Sequence, residues 1–404
     1  MLAYTEARAK VIETVSARCG TPPSETVAVA EALGRVLAEP VVADRDYPPF
    51  DRSTRDGFAV RAADAGAVPA VLRCIGEARA GAAFAGEVGH GQCVQIMTGA
   101  PVPRGADAVV MLEHTAVAGE RVTLHRAAHP GQNLVPRGSE ARAGQVLMRP
   151  GLRLGFAELA LAAQVGRAEL GVFRRPRVAI LSTGDEVVPV EAQPGPFEIR
   201  NSNSIALSAQ VRLAGAEPVL LGNAPDREDR LQQCIERGLR EDVLVLSGGV
   251  SAGKYDLVEA VLERLGTVAC FDAVRIRPGR PAVFGVCGET FVFGLPGNPV
   301  STMVTFELFV VPALDLLSGM PARPLATFRA RLAAPVRQRA ELTHFLPAEV
   351  RWEAGEPVVR ELPWQGSGDI VALVQANAFL LVPETRLEWE AGEWVDVLPR
   401  RDRL

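Results

Sequence analysis

A chain of 404 residues is too long for one hydrophobic core, and at about 100 to 200 residues per domain it predicts several domains. With 48% hydrophobic and 23% charged residues it reads as a folded soluble chain, and a net charge of -5 offers no footprint for nucleic acid. The most apolar stretches, 156–165 and 303–317, are too short or too interrupted to span a bilayer as single helices, so no membrane partner is expected. The opening run MLAYTEARAKVIETV mixes charged and apolar residues without an export pattern, and the six cysteines are scattered with no Cys-x-x-Cys pair. Together these predict thiols in a reducing compartment and a cytoplasmic location, and the 5 histidines are too dispersed for a zinc centre.

Residues 3–18 predict an amphipathic helix with Val11, Ile12 and Val15 on its apolar side, and residues 24–37 predict a second helix or helical turn, with Pro40 at its exit. The charged, proline-rich run ADRDYPPFDRSTRDGFAV predicts an ordered loop that feeds a strand at 57–60. From about 71 to 147, apolar runs at 93–97, 108–112 and 121–124 alternate with glycine and proline turns, which is the pattern of a small β-rich domain. A helix at 155–165 follows, and 171–177 leads into the next strand. The periodicity then becomes α/β, with strands at 178–181, 217–222, 243–247 and 290–295 and helices near 203–213, 227–238, 255–265 and 301–317. Strands 178–181 and 243–246 are apolar on both faces, as a parallel sheet with right-handed crossovers and helices on each side requires. Beyond Pro324 the alternation predicts a small, mostly β module.

Chemistry concentrates in the turns that follow the α/β strands, where open α/β sheets bind ligands. In LSTGDEV, Ser182, Thr183 and the Gly184 amide can donate to an anion, whereas Asp185 and Glu186 would repel it unless a cation stands between; an exposed acidic turn would look the same. In SGGVSAGKYD, Ser247, Gly248, Gly249, Ser251 and Gly253 form a second candidate nest before a helix, with Lys254 for phosphate and Asp256 for a hard divalent ion; an ordinary turn and N-cap is the plainer reading. In LPGNPVS, Pro296, Gly297 and Asn298 form a rigid turn whose amides and side chain suit a ring edge or a phosphate. Upstream, RIRPGRPAVFG places Arg275, Arg277 and Arg280 around a Pro-Gly turn, either an oxyanion site or a solvated basic hairpin. Neither a G-x-x-x-x-G-K-[ST] frame nor a G-x-G-x-x-G fingerprint occurs. In the N-terminal half, Asp56 in RSTRDGFAV and Thr98 in QIMTGAPVP are candidates for a site or for simple turn capping.

Taken in order, DRSTRDGFAV, QIMTGAPVPRGADAVV, VPRGSEARAGQVL, RPRVAILSTGDEVV, IRNSNS, LVLSGGVSAGKYDLV, RIRPGRPAVFG and FGLPGNPVST resemble the molybdopterin molybdenumtransferase family, the MoeA-type enzymes and the molybdenum-inserting domain of gephyrin. The resemblance implies a multidomain α/β and β fold: a linker domain at 1–45 with 146–175, a β-rich inserted domain at 46–145, a three-layer α/β molybdopterin-binding domain at 176–324 and a C-terminal β-barrel-like domain at 325–404. It further implies a magnesium-assisted transferase that inserts molybdate into adenylylated molybdopterin with release of AMP, working as a homodimer with an intersubunit cleft and with other molybdenum-cofactor maturation proteins as candidate partners. By the same resemblance the family's important positions fall on Asp56, Thr98, Glu186, Asp226 (with Asp229 as an alternative), Asp256, Gly297 and Asn298, with Glu186, Asp226 and Asp256 as magnesium ligands.

Arg277 and Arg280 stand where the family usually has lysines, which keeps the charge but changes its geometry, and THFLPAEV lacks an arginine often found after its R-x-x-F segment. In QGSGDIVALVQANAFLLVP, Ser367 remains a candidate ligand contact. Two rival readings are a molybdopterin adenylyltransferase, which needs neither the N-terminal half nor the distal β module, and a non-catalytic molybdopterin-binding scaffold.

Overall fold

A computed structural model describes residues 1–249, 257–338 and 341–403. The opening helix, Tyr4–Arg18, buries Ala7, Val11 and Val15, one residue per turn along a single face, against the helix Val311–Leu317. The stretch read as a second helix is instead the strand Ser24–Ala28, followed by one 3-10 turn at Val29–Glu31. Its antiparallel partner Glu169–Phe173 runs from Ser24↔Phe173 to Ala28↔Glu169. Local propensity lost here to a ladder partner about 140 positions away, and Thr26 and Val27 are β-branched residues that suit a strand.

The central sheet takes the order Glu217–Ala224, Arg177–Thr183, Val243–Ser247, Thr290–Leu295, Val283–Cys287, Val268–Phe271. The first four strands are parallel, as read; beyond them Val283–Cys287 runs the opposite way, antiparallel to both Thr290–Leu295 and Val268–Phe271, and these last two strands were not anticipated. The reversal arises because Thr290–Leu295 enters through a two-residue hairpin, with Gly288 at φ 59°, in place of a crossover helix. Successive side chains leave the sheet on opposite faces. Val178, Ile180, Val243 and Val245 pack with Leu207, Val211, Val300 and the opening helix, whereas Ala179, Leu181, Leu244 and Leu246 pack with Leu231, Ile235, Val258 and Val261. The result is three layers, helix on sheet on helix.

The run Pro299–Leu317 is one 19-residue helical stretch with mean hydropathy 1.7, so it is longer and more continuous than its sequence suggested. Its side chains belong to the core of the sheet's first face rather than to a bilayer. Pro312 has no N–H for the carbonyl of Leu308, four residues back, and the helix widens to a π turn over Phe306–Val310 just before it. Arg8 Nη1 supplies the missing donor to Leu308 O at 3.0 Å. Nearby, the buried carboxylate of Asp315 receives both Arg323 Nε and Nη2, at 3.0 and 2.8 Å, and lies 3.8 Å from Arg153. Arg153 donates in turn to Gly34 O and Ala214 O, so this ion cluster joins three distant segments.

The N-terminal half carries a six-stranded sheet in the order Ala108–Met111, Gly57–Val60, Gln92–Ile96, Ala70–Ala78, Arg121–Leu124, Thr115–Ala118, with separate apolar clusters on its two faces. At the C-terminus, Thr343–Glu353, Glu356–Glu361, Phe328–Leu332, Trp394–Pro399 and Ala378–Val382 follow one another, and Ala378–Val382 pairs back onto Thr343–Glu353 to close a barrel. Ile276–Arg277 pairs with the start of Thr343–Glu353, which couples the basic turn to that barrel. The chain is thus a multidomain α/β and β protein: a three-layer α/β centre, a β-rich insertion and a C-terminal barrel.

Candidate functional site

Strand Arg177–Thr183 is followed in the chain by its neighbour on one side, Glu217–Ala224, and then by its neighbour on the other, Val243–Ser247. The order therefore reverses between Thr183 and Ser247, and at such a switch point the loops leave in opposite directions and open a crevice at the carboxyl ends. A cleft of about 440 Å³ lies there. Ser182, Thr183, Gly184, Glu186, Asp226, Ser247, Gly248, Gly249, Pro296, Gly297 and Asn298 all line it, so turns separated by more than a hundred residues meet at one place. A hollow of about 550 Å³ lies at the opposite ends of these strands, where Arg174 Nη2 donates to both carboxylate oxygens of Asp242 at 2.9 and 3.1 Å.

The glycines allow the loops to crowd together. Gly248 (φ 94°) and Gly249 (φ 65°) adopt left-handed backbone, and a Cβ at Gly249 would fall 2.8 Å from Thr183 Oγ1. That hydroxyl is buried and has no hydrogen-bond partner among the described residues, so it is a polar group awaiting a ligand atom or water. Asn203 spans the cleft floor, donating from Nδ2 to Ser247 Oγ at 2.8 Å and to Gly297 O at 2.7 Å. Asn201 caps the helix Ser202–Leu213 through Ser204 N and donates to Ser182 Oγ at 3.0 Å. Asn223 Nδ2 holds the acidic turn by its carbonyls, Gly184 O and Val187 O, at 2.9 and 3.0 Å.

The rim is acidic. Asp226 N donates to Asp185 Oδ1 at 3.0 Å, and partial burial, reinforced by the charges of Asp185 and Glu186, pushes the Asp226 carboxyl above its ordinary range. Carboxylates that destabilise one another in this way suit a hard cation. Among the described residues no group of three ligating side chains is assembled for a metal ion. Asp256, Ser251 and Gly253 lie outside the described residues.

Ser367 reaches the cleft's edge from the C-terminal segment, accepting from Asn298 Nδ2 at 2.9 Å. Arg277 and Arg280 are exposed and do not line the cleft; their turn approaches it through Pro281, while Gly279 is pressed against Thr305. Asp56 and Thr98 do not line it either. They meet each other: Gly57↔Ile96 register sets the strand ends side by side, and Asp56 Oδ1 accepts from Thr98 N at 2.6 Å and Thr98 Oγ1 at 2.8 Å. These two bonds hold the exposed Asp56 carboxyl below its ordinary range. Residue-by-residue reading did not single out Arg200, Asn201, Asn203 and Asn223; an Asn-Ser-Asn run at a helix start was the available signal for two of them.

The fold and this cleft define a class, the multidomain α/β proteins that carry an anion-receptive, acid-rimmed cleft at the switch point of a mostly parallel sheet. Three family models account for most of the chain: the MoeA N-terminal region (domain I and II) over residues 2–166, the probable molybdopterin binding domain over 179–316 and the MoeA C-terminal region (domain IV) over 329–399. The chain is 37% identical over 390 residues to the molybdopterin molybdenumtransferase of Bacillus subtilis, covering 94% of this chain and 90% of that protein. It is 30% identical over 391 residues to the one from Synechocystis, covering 95% and 97%. A crystal structure of the molybdopterin biosynthesis moeA protein from Pyrococcus horikoshii OT3 matches with a TM-score of 0.84 at 30% identity, covering 99% of this chain and 100% of that one. The chain belongs to the molybdopterin molybdenumtransferase family.

Proposed function

We propose that the chain is a molybdopterin molybdenumtransferase that takes adenylylated molybdopterin and molybdate and releases AMP. The observation that carries this reading is the convergence of the 182–186, 247–249 and 296–298 turns on one switch-point cleft with an acidic rim. In this reading the Gly248 and Gly249 backbone and the Thr183 hydroxyl receive the ligand's phosphate and polar edges, Asn203 keeps the two glycine turns at a fixed separation, and Ser367 positions Asn298. Glu186 and Asp226, with Asp256, would hold a magnesium ion, which offsets charge on the phosphoanhydride and the departing AMP. The raised Asp226 carboxyl supports that choice, since three neighbouring carboxylates are relieved by a divalent charge. Arg277 and Arg280 would offset the charge of the oxyanion as it approaches.

Asp56 and Thr98 are preorganised as a pair but stand apart from the cleft, which motivates a homodimer in which a partner subunit presents them. Mixing Asp56→Ala with Asp226→Asn chains tests this: two inactive preparations should regain activity, and no recovery would place both residues in one subunit's site. The four-part division at 1–45 with 146–175, 46–145, 176–324 and 325–404, and a cytoplasmic setting, belong to the same reading. Purified protein given adenylylated molybdopterin, magnesium and molybdate should release AMP and form cofactor that activates a molybdoenzyme apoprotein. AMP release indifferent to molybdate, or adenylyl transfer from ATP instead, would overturn the assignment.

A further inference from the structure

Arg200 ends the short strand Ile199–Arg200, which pairs with Val187–Val188 directly after the acidic turn. It is the one cationic side chain among the described residues that line the cleft, whereas Arg277 and Arg280, the cations expected from sequence, do not line it. Its Nε donates to Ala192 O at 3.1 Å, and the guanidinium makes no other hydrogen bond or ion pair among the described residues. One nitrogen is therefore spent on fixing the plane of the fork, and the two terminal nitrogens keep their donors. That is the arrangement a bidentate phosphate contact requires, since the planar fork is matched to two oxygens and loses least entropy when already oriented. The residue also immediately precedes Asn201, the cap of the twelve-residue helix Ser202–Leu213, so its charge adds to the positive end of the helix dipole. A second feature of the same cleft points to a ligand independently: the Thr183 hydroxyl, on a residue only 5% exposed, has no partner among the described residues.

The charge balance decides what this cation contacts. Glu186 and Asp226 line one part of the cleft, and Asp185 sits behind Asp226, so an anionic ligand approaches three carboxylates unless a positive group faces it. We infer that Arg200 is the phosphoryl-binding residue of the cleft, gripping the adenylyl phosphate of the ligand through its two terminal nitrogens. This inference rests on the transferase reading above and adds to it the residue that selects for the nucleotide phosphate.

The test uses the full chain and AMP as the titrant, with affinity read by calorimetry for the native protein, Arg200→Ala, Arg200→Lys and Arg237→Ala. Because hydrogen bonds to a charged group are worth more than neutral ones, Arg200→Ala should weaken AMP binding roughly 10- to 100-fold, and Arg200→Lys should recover only part of the loss. The difference between native and Arg200→Ala should shrink at high salt, and Arg237→Ala, an exposed arginine that does not line the cleft, should bind AMP like the native chain. Melting temperature should not move, because the side chain is exposed. Native affinity within about twofold in Arg200→Ala would overturn the inference while leaving the cleft assignment intact. Loss of molybdate binding with AMP binding preserved would overturn it too, by giving Arg200 to the oxyanion. Failure of the native chain to bind AMP at all would overturn the cleft assignment and this inference together.

Discussion

Asn203→Ala removes one amide that donates to two oxygens at once, Ser247 Oγ at 2.8 Å and Gly297 O at 2.7 Å. One oxygen ends the strand Val243–Ser247 and the other lies in the turn after its parallel neighbour Thr290–Leu295, so the amide is a tie across the cleft floor. Each bond contributes about 1 kcal/mol net, the one to Ser247 partly buried and the one to Gly297 exposed, so the loss should be at most about 2 kcal/mol. For a cooperative unit of roughly 150 to 250 residues that corresponds to a fall in Tm of about 4 to 8 °C by differential scanning fluorimetry. Turnover should suffer further, because the Pro296 to Asn298 turn and the Gly248 loop are then no longer held at a set distance; AMP release should drop about 10- to 30-fold at a temperature where the variant is fully folded. Asn203→Asp preserves the shape but presents only acceptors, one opposite the Gly297 carbonyl, and it adds negative charge where an anion binds. It should be worse than alanine in both assays. A variant that melts with the native chain and turns over normally, or an aspartate no more harmful than alanine, would refute this account of the cleft floor.

Asp226→Asn removes one of three mutually repelling carboxylates, so Tm should hold or rise while magnesium-dependent AMP release falls; unchanged turnover would remove Asp226 from the candidate metal ligands. The sign for the native group follows from its raised pKa: its favourable contribution is present below the unfolded carboxyl pKa and is lost as pH rises through the folded value, so added magnesium should stabilise the native chain more at neutral than at acid pH. Thr98→Val takes away one of two bonds that depress Asp56, so the Asp56 carboxyl, followed by carbon-13 NMR, should titrate at higher pH than in the native chain yet below its ordinary value. Because the native pKa is depressed, the stabilisation from Asp56 is present above the unfolded pKa and is lost as pH falls through the folded value, and the valine variant should lose it at a higher pH. Asp315→Ala leaves the part-exposed Arg153 and Arg323 without the buried carboxylate they share and should cost about 1 to 3 kcal/mol in guanidinium unfolding, less than for a fully buried pair because both guanidiniums reach solvent; no measurable loss would mean that the cluster does not tie these segments together.

Much of the α/β core was legible because its signal is local. Strands such as Val243–Ser247 are continuous apolar runs, helices such as Glu228–Gly238 have a clear amphipathic period, and the glycine turns sit immediately after strands. One error fell where the pairing partner is distant and the other at a short hairpin. Residues 24–28 became a strand only because residues 169–173 lie beside them, and the antiparallel edge of the central sheet depends on a hairpin at Gly288 rather than on any strong strand signal.

The sequence by itself determined the chemistry available at each turn, because donors, acids and glycines are properties of the residues in place. It also determined the family resemblance, because the order of the turns is a property of the chain. Tertiary structure alone decided which turns share a cleft. Parallel register put Ser182, Ser247 and Leu295 at one level and brought the 182–186, 247–249 and 296–298 loops together, whereas the loops carrying Arg277 and Arg280 leave the sheet beside the barrel. It likewise joined Asp56 to Thr98 across a strand pair and set Arg200 at the rim. The reason is physical: a residue's chemistry travels with its side chain, but its neighbours are set by strand register and loop direction, which only the packed fold specifies.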